Sequence, residues 1–319
     1  MIYDSNIGFI GLGNVGSKLA NNILLAGYNL FIHDLEKNKG TNLISKGATW
    51  CDNLEEIAKN STTIITCLPS PKKVADVFEG SNGLLNYIKD NHLWIEMSTT
   101  DEDEMIRLSK ICLKKGAESL EAPVTGGQHR AESGNISILV GGKRENFDRA
   151  FPLLSKIGHK ILYCGKLGNA STLKVVTNYL ASINLLSLGE AFMVCKKYGL
   201  DLKTSYHGIL ISSGNSFVHE TESQVILNGS YDVGFTMDLV SKDVGFFNKL
   251  ADKYNIPAEL SRLMNKIFRE GRLKYGDKSF STSIVKKLEE ACEENLRASG
   301  FPNQLKDNHS RKKGIEIKY

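Results

Sequence analysis

A chain of 319 residues with an apolar fraction of 41% has room for about two domains and a core of ordinary size. Its formal charge of +4 is small for this length and lies largely in the C-terminal tail around Arg311, Lys312 and Lys313, which argues against nucleic acid or a membrane as partner. No run is long and apolar enough to cross a bilayer; the six cysteines show no CxxC pair and the seven histidines no HExxH-type pair, so nothing calls for a metal.

The chain opens Met1-Ile2-Tyr3-Asp4 and enters an apolar stretch almost at once, leaving no room for the basic and apolar regions of a signal peptide. With scattered cysteines read as free thiols, this predicts a cytoplasmic protein. Ile7–Ile10 is a short apolar run ending in glycine, and the amphipathic stretch from Val15 to Ala26 follows it as a helix that Gly27 stops. Tyr28–His33 reads as a second strand ending at Asp34, and Thr63–Leu68, Leu93–Met97 and Ser137–Val140 have strand length with helix-like segments between them. Strands alternating with helices at this spacing predict a parallel sheet covered on both faces.

After about Gly165 the pattern changes. Asn169–Tyr198 is one long helical stretch, apolar nearly all round, and Met237–Tyr254, Ala258–Glu270 and Ser281–Ala298 also read as helices. A helix of that kind should be buried among other helices, at a domain junction or in a subunit interface. The division expected is an α/β Rossmann domain over 1–166, an all-α domain over 167–300, and a basic flexible tail over 301–319.

The loop Gly11-Leu12-Gly13-Asn14-Val15-Gly16 fits G-x-G-x-x-G, a weak signal alone, strengthened here by a strand before it, a helix after it and an acid closing the next strand. Gly11 permits the turn, Gly13 lets backbone approach a pyrophosphate, Gly16 lets helix and strand pack, and the helix N-terminus faces the phosphates. Asp34 stands where an acid accepts hydrogen bonds from the adenosine ribose and repels the 2′-phosphate of NADP. No arginine follows directly and Lys37 is the nearest cation in sequence, so NAD is preferred over NADP; the alternative is that Asp34 only caps the next turn.

Lys174 and Asn178 stand four apart on one face of the long apolar helix. A lysine in such a setting must snorkel, pair or serve chemistry, and desolvation can bring its pKa from about 10.4 toward 7–8, suited to trading a proton with an alcohol. Glu121-Ala122-Pro123-Val124-Thr125-Gly126-Gly127 ends in a Gly-Gly turn whose amides, with the Thr125 hydroxyl, could hold a carboxylate; a plain turn fits the same residues.

Together these segments resemble the β-hydroxyacid dehydrogenase family from about Ile7 to Leu296. The match rests on Phe9-Ile10 with the glycine loop, Met97-Ser98-Thr99, Ala122–Gly127, Gly165-Lys166-Leu167-Gly168 leading to Lys174 and Asn178, and Lys242-Asp243. The resemblance implies that Lys174 is the catalytic lysine, that Asn178 helps position substrate, and that Thr125, Gly126 and Gly127 form the substrate-carboxylate loop. It places Leu68, Pro69 and Thr99 beside the cofactor and Lys242 near the nicotinamide end. It implies an active site in a cleft between a Rossmann and an all-α domain, and homodimers or homotetramers joined through the helical domain. Where many members carry Asn-Arg and use NADP, this chain has His33-Asp34, which also favours NAD.

The implied reaction is hydride transfer between nicotinamide and a small 3-hydroxy-carboxylate, such as 3-hydroxyisobutyrate, with Lys174 moving the proton of the substrate oxygen. Tartronate semialdehyde or a sulfonate analogue is an alternative substrate. A 6-phosphogluconate-type enzyme would need a phosphate-binding set and a longer helical domain. An imine reductase typically lacks the lysine, and a non-catalytic NAD-binding scaffold would have lost it.

Overall fold

The computed structural model describes residues 5–319; Met1–Asp4, on which the absence of a leader was argued, lie outside the described residues. The chain forms two compact units, Met1–Lys174 with Asp307–Tyr319, and Val175–Lys306.

The first unit is a sheet flanked by helices. In chain order it comprises β1 (Asn6–Ile10), α1 (Gly16–Leu25), β2 (Asn29–His33), α2 (Thr41–Ser45), β3 (Thr49–Trp50), α3 (Leu54–Asn60), β4 (Thr63–Thr66) and α4 (Pro71–Glu79). There follow β5 (Leu93–Glu96), α5 (Glu102–Lys114), β6 (Glu118–Glu121), β7 (Val124–Thr125), α6 (Gln128–Ser133), β8 (Ser137–Gly142), α7 (Arg144–Ile157) and β9 (Lys160–Tyr163). The long helix α8 (Asn169–Tyr198) carries the chain out of this unit, and β10 (Ile315–Ile317) belongs to the segment that returns to it.

The strands run in the order β10-β9-β8-β6-β5-β4-β1-β2-β3, with β7 beside β8. Pairing is parallel except where β8 meets β6 and β7. Alternation at period two explains the burial of both faces: Ile7, Phe9, Leu93 and Ile95 enter one apolar layer, Ile10, Ile64 and Trp94 the other. Register then sets the site. Ile10 pairs with both His33 and Thr66, Thr66 with Glu96, and Glu96 with Glu121. The turns after β1, β2, β4, β5 and β6 therefore all leave from the carboxyl edge of the sheet, where open α/β sheets bind ligands.

The second unit holds the remainder of α8, then α9 (Leu202–Leu210), α10 (Phe217–Asn228), α11 (Met237–Lys253), α12 (Glu259–Tyr275) and α13 (Lys286–Cys292). Phe192, Val225, Ile226, Met237, Val244, Met264 and Phe268 are buried in it. The helix read over Ser281–Ala298 is shorter: a 3₁₀ turn opens it at Ser281–Val285, and Glu293 at φ +53° ends it.

Two expectations need correction. The division between compact units falls inside α8, between Lys174 and Val175, because one uninterrupted helix serves both. The segment 301–319 is not a free tail: Ile315, Glu316 and Ile317 pair in parallel with Lys160, Ile161 and Leu162 of β9, covering what would otherwise be the open edge of the sheet.

Candidate active site

Steric demands inside the fold explain two of the three glycines after β1, and the third faces open space. Gly11 has φ +98°, and a Cβ there would stand 2.4 Å from the Cys67 carbonyl oxygen. A Cβ on Gly16 would stand 2.1 Å from the Gly11 carbonyl oxygen, so α1 starts against its own loop. A Cβ on Gly13 would meet nothing within 4 Å, so the middle of the loop presents bare backbone to open space. No side chain caps α1 at Val15 and no acid stands in its first turn, which leaves the positive end of the helix uncompensated. Bare backbone beside an uncapped helix N-terminus fits the pyrophosphate of a dinucleotide.

Asp34 follows β2 directly, with its side chain 11% exposed. Its Oδ1 accepts the Glu36 amide at 3.0 Å, the local turn cap allowed for in the sequence; its Oδ2 accepts the Leu12 amide at 2.7 Å and so ties the acid to the glycine loop. Lys37 is not the cation beside it. Lys37 reaches Asp52 at 3.3 Å, whereas Lys39 lies 3.6 Å from Asp34 and 2.7 Å from Glu36. The 3₁₀ turn Lys37–Gly40 carries position 39, rather than 37, back toward the acid.

A chain of side-chain hydrogen bonds fixes the next two turns. Trp94 Nε1 donates to Thr66 Oγ1 at 2.7 Å, and that hydroxyl donates to Glu96 Oε2 at 2.6 Å. Glu96 Oε1 accepts the Ser98 amide at 2.6 Å, and Ser98 Oγ accepts the Leu68 amide at 2.7 Å. Leu68, Pro69 and Thr99 are thereby held at the carboxyl edge. The Cys67 thiol, directly before Leu68, is pushed up to about 12 by burial and then by the Glu96 carboxylate.

β6 ends in Glu121, which is fully buried. Its carboxyl accepts the Ala170 amide at 2.8 Å, the Ser171 amide at 3.2 Å and the Ser171 hydroxyl. Burial pushes this carboxyl above its usual range, against donors that pull it down. Glu121 thus clamps the first turn of α8 three residues before Lys174, itself buried at 6% exposure. The motif gives Glu121 no such role; the available signal is only an acid at the end of the short strand Glu118–Glu121, directly before Ala122-Pro123. Beyond it, Thr125 pairs with Ser137 of β8, and Gly126 and Gly127 follow at φ +120° and +84°, Gly127 opening α6.

In the second unit, Asn178 Nδ2 donates to Asp243 Oδ2 at 2.6 Å, and Lys242 Nζ lies 3.0 Å from Oδ1 of the same carboxylate. Asp243 is buried, and the Lys242 contact is a charge contact without hydrogen-bond geometry. Tyr179 stacks on Phe247 at 4.1 Å between ring centroids, packing α8 on α11. The structure therefore gathers the glycine loop, Asp34, Leu68, Pro69, Thr99, the Thr125–Gly127 loop and Lys174 in one unit. Asn178 and Lys242 meet through Asp243 in the other, a partner that sequence reading left without a role.

The family model described as the NAD binding domain of 6-phosphogluconate dehydrogenase matches residues 6–165, and the one described as NAD-binding of NADP-dependent 3-hydroxyisobutyrate dehydrogenase matches residues 168–288. The chain belongs to the β-hydroxyacid dehydrogenase family. This β-hydroxyacid dehydrogenase is 32% identical to 2-(hydroxymethyl)glutarate dehydrogenase of Eubacterium barkeri, over 89% of the chain and 95% of that protein. It is 33% identical to mitochondrial 3-hydroxyisobutyrate dehydrogenase of Mus musculus, over 86% of the chain and 85% of that protein. Its fold matches that of Mycobacterium tuberculosis 3-hydroxyisobutyrate dehydrogenase with a TM-score of 0.80 at 24% identity, covering 89% and 98% of the two chains. As a member of the family it is an NAD(P)-dependent oxidoreductase acting on CH–OH groups.

Proposed function

We propose that this chain interconverts a small 3-hydroxy-carboxylate, 3-hydroxyisobutyrate or a close analogue, and its semialdehyde or ketone, with NAD preferred over NADP. The observation that carries this reading is the buried Lys174 on a helix whose first turn is clamped by Glu121, in the same unit as the dinucleotide loop. When bound, the nicotinamide cofactor accepts hydride in oxidation and supplies it in reduction. Neutral Lys174 takes the substrate hydroxyl proton in oxidation, and its ammonium form returns one to the carbonyl oxygen in reduction. The Thr125 hydroxyl and the Gly126 and Gly127 amides receive the carboxylate, which fixes the reacting carbon and supplies most of the positional advantage. Asn178, oriented by Asp243, steadies the substrate oxygen or the lysine. Leu68, Pro69 and Thr99 line the cofactor, and Lys242, paired with Asp243, stands toward its nicotinamide end. The two relatives support the substrate class: the substrates in both names carry a hydroxymethyl group on the carbon next to a carboxylate.

The cofactor preference follows from Asp34. An ionised carboxylate has about four acceptor sites, so the two amides it binds leave capacity for ribose hydroxyls, while its charge opposes a 2′-phosphate. Lys39, the cation 3.6 Å from Asp34, is shared with Glu36 at 2.7 Å, so two carboxylates face one ammonium and a net negative charge stays beside the ribose position. The test is reduction of NAD, followed optically, over 3-hydroxyisobutyrate, glycerate and threonate. We expect kcat/KM with NAD at least about tenfold above that with NADP, the factor for about 1.4 kcal/mol of discrimination. A preference for NADP would overturn the role of Asp34, and tight NADH binding without turnover of any hydroxy acid would favour a scaffold.

Assembly as a homodimer or homotetramer through the helical unit is supported by the apolar side chains it exposes, among them Val194, Leu260, Leu263 and Leu273. Sedimentation should show no monomer at micromolar concentration; a monomer alone refutes this assembly. A cytoplasmic location is supported by six cysteines that are all free.

A further inference from the structure

The family models end at residue 288, so the returning segment Asp307–Tyr319 lies outside them. We propose that this segment is a strut that positions the Gly126–Gly127 loop, with Asp307 as its positioning residue. The proposal rests on reading that loop as the seat of the substrate carboxylate.

Asp307 is built into the unit. Its side chain is 4% exposed, and Oδ2 accepts the Ser133 hydroxyl at 2.6 Å and the Asn135 amide group at 2.8 Å. Oδ1 accepts the backbone amide of His309 at 3.2 Å and meets its Nδ1 at 2.9 Å. Burial raises the carboxyl, but the donors from Ser133, Asn135 and His309 outweigh it and hold the group far below the usual range. Asn135 is taken up by the same segment: Lys312 donates its amide to Asn135 Oδ1 at 2.9 Å, and Asn135 Nδ2 also reaches the His309 and Ser310 carbonyls at 3.4 and 3.3 Å.

Ser133 closes α6, and Gly127 opens it. Six residues of helix span only about 9 Å, so a constraint at one end is felt at the other. The far end of the strut is anchored on different elements. The Gly314 amide donates to the Ser155 carbonyl at 3.2 Å, and a Cβ on Gly314 would lie 2.4 Å from Ser155 Cα. Arg144 grips Glu316 through both terminal nitrogens at 2.6 and 3.1 Å. Asp307 also faces His129, beside Gly127, where burial first and Arg130 next lower the imidazole pKa and Asp307 raises it. Asn22 independently holds α6 through the Ala131 carbonyl at 2.6 Å, so loss of Asp307 should loosen the helix rather than unfold it.

The test compares native-state hydrogen exchange of the full chain and Asp307→Ala. Amides of 126–135 should exchange at least about tenfold faster in the variant, with those of 11–16 unchanged. KM for 3-hydroxyisobutyrate should rise about tenfold while kcat and the NADH Kd stay level, the pattern of binding lost equally from ground and transition states. Deletion of residues 307–319 should do the same more strongly. Unchanged exchange in 126–135, or faster exchange throughout the unit, overturns the strut. If Thr125→Ala raises KM and Asp307→Ala does not, the strut role alone fails. If Asp307→Ala loosens the segment and neither variant alters KM, the carboxylate loop is the reading that fails, and the role in substrate binding falls with it.

Discussion

Lys174→Ala should lower kcat by at least about a hundredfold, or about 2.7 kcal/mol of transition-state stabilisation, the scale of a lost general acid/base. NADH affinity, measured by fluorescence titration, should stay close to that of the parent, because the glycine loop and Asp34 are held by bonds that do not involve this lysine. Lys174→Arg should be nearly as inactive: it restores the positive charge but cannot release a proton near neutral pH. The pair of variants separates two roles for one cation. If arginine restores turnover, Lys174 acts by charge alone; if alanine turns over within tenfold of the parent, it is not the acid/base.

What could be read from sequence follows the range of each interaction. The glycine loop was legible because its three glycines fall within six residues, and Asp34 because strand length fixes its distance from that loop. Lys39 was not, since which lysine reaches Asp34 depends on a 3₁₀ turn that brings position 39 back and sends Lys37 to Asp52. The unit boundary inside α8 leaves no mark in composition, because Lys174 and Val175 are consecutive residues of one apolar helix. β10 is three residues long and held by backbone pairing with β9, so its Ile-Glu-Ile alternation is too short to stand out from a polar, basic stretch. Asp243 and Asp307 act on partners distant in sequence, Asn178 in one case and Ser133 and Asn135 in the other. Long-range pairings of that kind are set by the fold and carry no local pattern.

Glu121 is the sharpest case of a residue whose place in a motif conceals its task, and Glu121→Ala should be costly in two measurements at once. The substitution leaves the buried Ala170 and Ser171 amides without an acceptor, and Ser171 Oγ without its partner. A lost helix cap and buried unsatisfied donors together should cost about 3 kcal/mol. For a unit of this size that lowers Tm by about 6–12 °C. Because the same turn sets the direction of Lys174, kcat should fall by about tenfold even at temperatures where the variant is folded, the sensitivity of a positioned group to small displacement. Glu121→Gln retains one acceptor oxygen but turns an amide group toward the Ser171 donor, and should fall between parent and alanine in both readouts. Lys174→Ala, by contrast, should lower kcat with little change in Tm. Glu121→Ala with the parent's Tm and kcat would mean that the start of α8 is held by something other than the end of β6, and the geometry of the lysine would then need a different origin.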